Sequence, residues 1–450
     1  MQTYTLKMMP NAEKLTIVII SAFYSEGMGY SENCLSRALA RLGHDVHVIT
    51  STYNVYGNDP MYDATYRDFL GPRQVEEGTR LVDGYRVHRL ESDLISGYVR
   101  IKEMAAKIRE IRPDIVHSLE VGSIQTWELA LLKLVAGFKL FTETHQTLSV
   151  MRPYMLDPKG PMLKRLTYRL TRTVPTWLAS RMMELCYAVT PDCGEVAMRF
   201  YGVPASKIRF LSLGADTETF HPIESEGERV ARERVRAGLG FGGDDVLCVY
   251  TGRFTKDKNP LVLAKAIDAL SRVDPRYKGL FIGDGVQKAE IAACRNVTVV
   301  PFMNHQRLAE HYRAADIGVW PRQESMSMID AAASGVPLVV SDRIGEPGRV
   351  EGNGKMYEED NVESMVAVLQ SFGTASERQA YGAIGRRKML SGFNWTSFAR
   401  TLEADFLVAL GRSQGAAAPV TRPIPVPASS AAHDDGRVAS AHAVPVASEE

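Results

Sequence analysis

The sequence predicts an α/β chain made of two doubly wound halves, on three observations. Short, almost uninterrupted apolar runs alternate with longer stretches of helical periodicity; the first run is followed at once by a glycine loop and a helix; and the alternation restarts after a charged, glycine-rich stretch near residue 240. Apolar runs without polar alternation suit parallel strands covered on both faces, the arrangement in which ligands collect at the carboxyl ends of strands.

Residues 15–22 are nearly all apolar and predict the first strand. A loop with Gly27 and Gly29 follows, then Leu35, Leu39 and Leu42 at helical spacing, Gly43 as the helix stop, and a second strand at 46–50. This is a β-α-β unit. Further strands are expected at 114–118, 138–142, 188–190 and 208–211. After Phe220-His221-Pro222, the charged segment 224–236 and the glycine-rich 238–243 read as an interdomain linker with a first helix. The second series places strands at 246–250, 279–282, 297–300, 317–320 and 338–341, with helical patterns between them. Asn394-Trp395 with Phe398, Leu402, Phe406 and Leu407 makes an amphipathic final helix. From Ser413 on, Gly, Ala, Pro, Ser and Val without periodicity predict a disordered tail, 413–450.

Composition bounds the function. A chain of 450 residues, 45% hydrophobic, can bury more than one core. Lys plus Arg equals Asp plus Glu at 53 each, so no global charge points to nucleic acid. Cys34, Cys186, Cys193, Cys248 and Cys294 form no C-x-x-C pair, which argues against a disulfide framework or a thiolate metal site and for small apolar fillers in a reducing cytoplasm. No secretory leader pattern opens the chain, and no run reaches the roughly 18–20 apolar residues of a membrane span. A cytoplasmic protein is expected, either free or peripheral to the inner face of the membrane.

The local feature that points to chemistry is 247–258, an apolar strand ending in a glycine turn that carries Arg253, Lys256 and Lys258 where a helix should begin, with Asn259-Pro260 next. Two cations and helix N-terminal amides at a strand's carboxyl end would face an anion such as a diphosphate. A solvated basic loop is the plainer alternative. The N-terminal Gly27-x-Gly29 lacks the third glycine of a dinucleotide-binding fingerprint, so no nicotinamide cofactor is expected. It either lets the backbone approach a sugar or phosphate, or is a bare tight turn.

Taken together, these stretches resemble the GT-B glycosyltransferases, in particular the large retaining family 4. The glycine loop with 35–50, Thr144-His145, Ala188-Val189-Thr190-Pro191, 213–222 beginning Leu213-Gly214-Ala215-Asp216, 251–258, Ile282-Gly283-Asp284-Gly285, 312–316 and 330–337 follow the family's order, across most of 15–410. The resemblance implies two Rossmann-like domains facing a central cleft: 1–225 binding acceptor, 240–392 binding donor, and 393–412 crossing back to the N-terminal domain. It also implies transfer of a hexose-type sugar from a nucleotide-diphospho-sugar to a glycan, lipid-linked or small hydroxyl acceptor, with no cofactor. GT-B epimerases, phosphorylases and catalytically silent GT-B scaffolds share this architecture and stay open as alternatives.

Carried over residue by residue, Arg253 and Lys258 match the donor-diphosphate clamp, and Asp330 the second acid of the family's E-x7-E element, which accepts from ribose hydroxyls. Glu324 stands six residues before Asp330 where the family has eight, so either the loop is shorter or Glu324 is not the first acid; an ungapped match would put Arg322 there. Glu324-Ser325-Met326-Ser327 resembles the family's turn whose amides meet the donor, with Glu324 near the sugar. As a plain reading, Glu324 is a helix-start carboxylate. Gly27 and Gly29 belong with the donor set. His145 matches a histidine that hydrogen-bonds the donor sugar, with Glu143 a second candidate that is not expected to act as a base.

Asp244-Asp245 and Asp434-Asp435 read as turn and tail residues, and no His or Cys cluster is visible, so no metal site is expected and Arg253 and Lys258 would neutralise the diphosphate. From 159 to 181 the chain carries Lys159, Lys164, Arg165, Arg169, Arg172 and Arg181 with no acid, interleaved with apolar and aromatic residues. It is either a peripheral membrane contact or a surface helix packed on the N-terminal domain.

Overall fold

The computed structural model describes residues 13–95, 98–148, 162–322 and 325–412. The tail at 413–450, Lys159 and Glu324 lie outside the described residues, as do the side chains of Lys164 and Arg165.

The N-terminal half is built on an eight-stranded sheet: β1 (Thr16–Ser21), β2 (Asp45–Ser51), β3 (Gly78–Val82), β4 (Tyr85–Leu90), β7 (Ile115–Ser118), β8 (Lys139–Thr144), β9 (Cys186–Ala188) and β10 (Ile208–Phe210), with a separate antiparallel hairpin of β5 (Ser92–Ile95) and β6 (Tyr98–Ile101). The order is β10-β9-β8-β7-β1-β2-β4-β3, parallel except for the β3/β4 pair. The C-terminal half holds β11 (Val246–Thr251), β12 (Tyr277–Ile282), β13 (Val297–Val300), β14 (Ile317–Trp320), β15 (Leu338–Ser341) and β16 (Gly354–Tyr357) in the order β13-β12-β11-β14-β15-β16, all parallel. In each sheet the first strand of the half lies between its later neighbours, so the strand order reverses beside β1 and beside β11. Both reversals open a crevice at strand carboxyl ends.

The strands form where the sequence is apolar on both faces: every residue of β11, β14 and β15 is buried. The strand expected at 188–190 instead runs Cys186–Ala188, because Thr190 is committed to N-capping helix Pro191–Arg199, its hydroxyl accepting from Cys193 N. The β3/β4 and β5/β6 hairpins and β16 have no counterpart among the expected strands. β3 reads Gly-Thr-Arg-Leu-Val and is almost wholly exposed at the sheet edge, and β16 reads Gly-Lys-Met-Tyr, so neither shows an apolar run.

The linker contains helix Glu226–Gly238, opened by a capping box of Ser225 and Glu228. The final helix, Trp395–Ala409, packs against helix Ser31–Arg41 and joins the N-terminal core, where Trp395, Phe398, Leu402 and Phe406 are buried with Leu35, Leu39 and Tyr187. Its Asp405 accepts from Tyr187 Oη at 2.8 Å and from Arg209. The four cysteines Cys34, Cys186, Cys193 and Cys248 are buried and all five are free thiols, in keeping with packing roles.

Candidate functional site

Two adjoining cavities occupy the crevices. The first, of about 350 Å³, lies between the halves. Arg253, Lys258, Ser325, Met326, Ser327 and Asp330 line it from the C-terminal side and Gly27 and Gly29 from the other. The second, of about 510 Å³, sits at the carboxyl ends of β1, β7 and β8 and holds His145. Gly29, Tyr30 and Met326 line both.

The cationic loop is braced from several sides. Tyr250 Oη donates to Arg253 O at 2.9 Å, and Lys258 N and Asn259 N both donate to Thr255 O. Asn259, at φ 47°, bonds Asp360 at 2.8 Å and Gln287 at 3.1 Å. Helix Leu261–Ser271 therefore starts just after this turn rather than at Lys258. The Gly283-Asp284-Gly285 turn packs so closely that a Cβ on Gly283 would sit 1.9 Å from Gly252 O. Arg322 is a brace as well: its Nε bonds Asp360 at 2.9 Å and its Nη1 bonds Lys256 O at 2.9 Å.

Helix Met326–Ala333 starts at the same cavity. Its N-cap, Ser325, makes no side-chain cap bond and Met328 N donates to Ser325 O at 3.1 Å, which leaves the amides of Met326 and Ser327 for another acceptor. Ser327 is held inward by Trp320 Nε1 at 3.1 Å and by its bond to Thr251 O. Asp330, one turn on, is buried; burial and the neighbouring Asp216 push its carboxyl well above the usual range, against a backbone bond from Asp216. Tyr56, Tyr66 and Phe302 add an aromatic wall, with Tyr56 and Tyr66 stacked at 4.6 Å between ring centroids.

Gly27 and Gly29 serve different purposes. Gly27 has φ 73°, and a Cβ on Gly29 would fall 1.9 Å from His305 Cε1, so Gly29 lets the N-terminal loop touch helix His305–Ala314 of the other half.

In the second cavity His145 follows β8 directly, with a third of its side chain open to the cavity. Its Nε2 lies 2.9 Å from Glu143 Oε1, and Glu143 Oε2 lies 3.1 Å from His117 Nε2 on β7. Burial alone would raise the Glu143 carboxyl, but the charge of His145 and hydrogen bonds from His117 and His145 outweigh it and hold it at about 2. Burial would likewise lower His145; Glu143 overrides it and raises the imidazole above its usual value. Glu143 thus orients the ring and favours its protonated form, as a carboxylate behind a histidine does. Glu32 and Glu120 line the same cavity, and burial pushes each up to about 7, partly offset by His145.

The sequence did not single out Glu32, Glu120 or His117. Glu32 stands near the start of helix Ser31–Arg41, His117 on β7 and Glu120 in the loop after it, with no spacing motif to mark them. One expectation is corrected: Arg172, grouped with a bilayer-facing set, is buried and turned into the second cavity. Another concerns clusters. Cys34, Asp216 and His305, far apart in sequence, bring ligand-type atoms within 4.8 Å of one another. The Arg37 guanidinium already lies 2.9 Å from Asp216 Oδ2, which also accepts from Thr219 Oγ1 at 2.8 Å, so a cation is present where a metal would need to be. Asp245 is a turn residue, accepting from Gly242 N at 2.7 Å, whereas Asp434 and Asp435 lie outside the described residues.

The family model described as Glycosyltransferase Family 4 matches residues 27–219, and that described as Glycosyl transferases group 1 matches residues 245–372. Among curated proteins, the chain is similar to spore coat protein SA of Bacillus subtilis, 26% identical over 48% of this chain and 62% of that protein. It is also similar to a D-inositol 3-phosphate glycosyltransferase of Nocardia farcinica, 29% identical over 52% of this chain and 54% of that one. The chain thus matches less than two thirds of either relative's length. Among solved structures, sucrose-phosphate synthase from Thermosynechococcus elongatus superposes with a TM-score of 0.62 at 18% identity, covering 89% of this chain and 100% of that one. Anabaena HepE, solved with UDP and glucose, gives 0.60 at 14% identity, covering 86% and 98%. The shared fold is GT-B.

Proposed function

The chain joins a Glycosyltransferase Family 4 domain to a Glycosyl transferases group 1 domain on the GT-B fold, and from this premise we propose that it is a retaining, metal-independent glycosyltransferase moving a hexose-type sugar from a nucleotide-diphospho-sugar to a hydroxyl acceptor. The observation that carries the proposal is the convergence of Arg253, Lys258, the open N-terminus of helix Met326–Ala333 and Asp330 on one cavity, which adjoins the cavity of His145. Two cations and helix amides suit a diphosphate, and the buried Asp330 suits ribose hydroxyls. The UDP and glucose bound by Anabaena HepE support a nucleotide-sugar over other anions.

In this reading the acceptor oxygen attacks the anomeric carbon on the face the diphosphate leaves. The bond from that carbon to the phosphate oxygen breaks, and the acceptor proton passes to the departing phosphate. Arg253 and Lys258 take up the charge that develops there, without a metal. His145, oriented by Glu143, donates to a sugar hydroxyl, and Glu324 is assigned to the sugar side of the donor.

The acceptor is assigned to the N-terminal cavity, and a lipid-linked or cell-envelope glycan is the favoured class. Leu166, Leu170, Val174, Trp177 and Leu178 are exposed, and helix Ile124–Ala136, which packs beside Val174–Met182, exposes Leu131, Leu134 and Val135. With Arg169 and Arg181 also exposed, this face suits the cytoplasmic surface of an anionic bilayer. No helix among the described residues is long and apolar enough to cross a membrane.

The test is to incubate the protein with α-linked nucleotide-sugars and a panel of sugar and prenyl-phosphate acceptors in excess EDTA, then read the anomeric configuration of the product by NMR. An α-linked product is expected. A β-linked product would contradict retention, and activity restored only by magnesium or manganese would contradict metal independence.

A further inference from the structure

Helix Met162–Tyr168 runs into a π-helical turn, Arg169–Thr173, and then into helix Val174–Met182. A π turn inserts an extra residue, re-aims the side chains around it and recurs at functional sites. Here Arg169, Leu170 and Thr171 stay exposed while Arg172 turns inward, with 7% of its surface accessible. Its guanidinium carbon lies 3.2 Å from the centroid of the Tyr98 ring, and Nη1 donates to Gly122 O at 2.8 Å.

No carboxylate of the described residues comes within ion-pairing distance of Arg172. A guanidinium keeps its proton under all ordinary conditions, and a buried charge left unpaired is costly. Glu143, behind the cavity wall, is engaged by His145 and His117, and neither Glu32 nor Glu120, which line the cavity, forms an ion pair with Arg172, although the guanidinium lowers Glu120 from a distance against its burial. Beside Arg172, Gln146 accepts from Tyr201 Oη through its carbonyl oxygen at 2.6 Å, which leaves its amide nitrogen as a donor toward the same space.

We propose that Arg172, seated on Tyr98 and assisted by Gln146, binds an anionic group, a phosphate or a carboxylate, carried by the acceptor. This deepens the acceptor half of the glycosyl-transfer reading and rests on it. A guanidinium presents a planar fork that matches either anion with two parallel hydrogen bonds. The acceptor would enter with its anion at Arg172 and its hydroxyl toward His145 and the donor cavity.

Because phosphate can also bind Arg253 and Lys258, the test uses the Arg253→Ala/Lys258→Ala protein as background. Inorganic phosphate, glucuronate and citronellyl phosphate are each titrated while Tm is followed. At least one of the three is expected to raise Tm in this background, and adding Arg172→Gln is expected to remove that rise, whereas Arg172→Lys keeps part of it. The rise is read relative to each variant's own ligand-free Tm, so the loss of the Gly122 bond does not enter. A response to glucuronate alone assigns a carboxylate, equal responses to both phosphates assign a phosphate group, and a stronger response to citronellyl phosphate assigns a lipid phosphate. No rise with any of the three, or a rise that survives Arg172→Gln, overturns the proposal. If wild-type protein still consumes a nucleotide-sugar in that case, only the acceptor inference has failed.

Discussion

Glu143 is the residue on which the N-terminal wall of the cleft turns, since it bonds His117 and His145 at once while fully buried. Its own carboxyl is held at about 2 against an ordinary 4.5, so its contribution to stability is present above pH 4.5 and lost as pH falls toward 2. His145 is raised above 6.5, so its contribution is present below pH 6.5 and lost as pH rises through its folded value. The Tm difference between wild type and Glu143→Gln should therefore be largest between pH 4.5 and 6.5, and the His145 ring should titrate at lower pH in the variant by NMR. A His145 titration unmoved by Glu143→Gln would disprove the coupling. At this scale the sequence revealed residues that sit in local patterns. Arg253 and Lys258 share one turn, and Asp330 and the Ser325-Met326-Ser327 turn share one helix start. Glu32, Glu120 and Arg172 reach their cavity from separate elements, and only the fold brings them together.

Among the elements, helix Trp395–Ala409 shows how a helix from the far end of the chain completes a core. Phe406 is fully buried, and its ring meets Phe141 at 4.7 Å and His117 at 6.3 Å between centroids. Ending the chain after Arg412 should leave Tm and donor binding unchanged. Phe406→Ala should cost about 3–5 kcal/mol in denaturant unfolding, the usual range for a large buried aromatic; a loss under ~1 kcal/mol would mean that the helix does not belong to the core. The basic, apolar segment makes a separate prediction. Arg169→Glu/Arg181→Glu and Trp177→Ala should each weaken sedimentation with phosphatidylglycerol vesicles, wild-type binding should fall with added salt, and wild type that ignores such vesicles at low salt would remove the membrane assignment. The amphipathic pattern of both segments was legible in the sequence. What it hid was the π turn, because helical periodicity cannot reveal which single residue a local inserted turn will re-aim.

Across the whole molecule, the restart of the strand-helix alternation near residue 240 announced two doubly wound halves, and the strands expected from apolar runs lie close to where those runs stand. Edge strands β3 and β16 were hidden because neither carries an apolar run, whereas edge strands β10 and β13 were expected. How closely the halves approach was equally hidden: Gly29 touches His305 across the cleft, a contact between residues 276 positions apart that no local pattern encodes. Gly29→Ala should force that contact open and lower turnover with little change in Tm. His305→Ala, which vacates the space, should restore activity to Gly29→Ala; failure of that rescue would show that Gly29 matters for another reason.

The cavity of Arg253 and Lys258 is tested most directly by one titration. Nucleoside diphosphates and their sugar derivatives are titrated into wild-type and Lys258→Ala protein by calorimetry in the presence of EDTA. The expected result is that at least one nucleotide binds wild type without metal, and that Lys258→Ala weakens the bare diphosphate and the diphospho-sugar alike, by about 2–4 kcal/mol if the charge pair is desolvated. Equal affinity of wild type and a well-folded Lys258→Ala for the bare diphosphate, or no binding by wild type without a divalent metal, would contradict the assignment of this cavity.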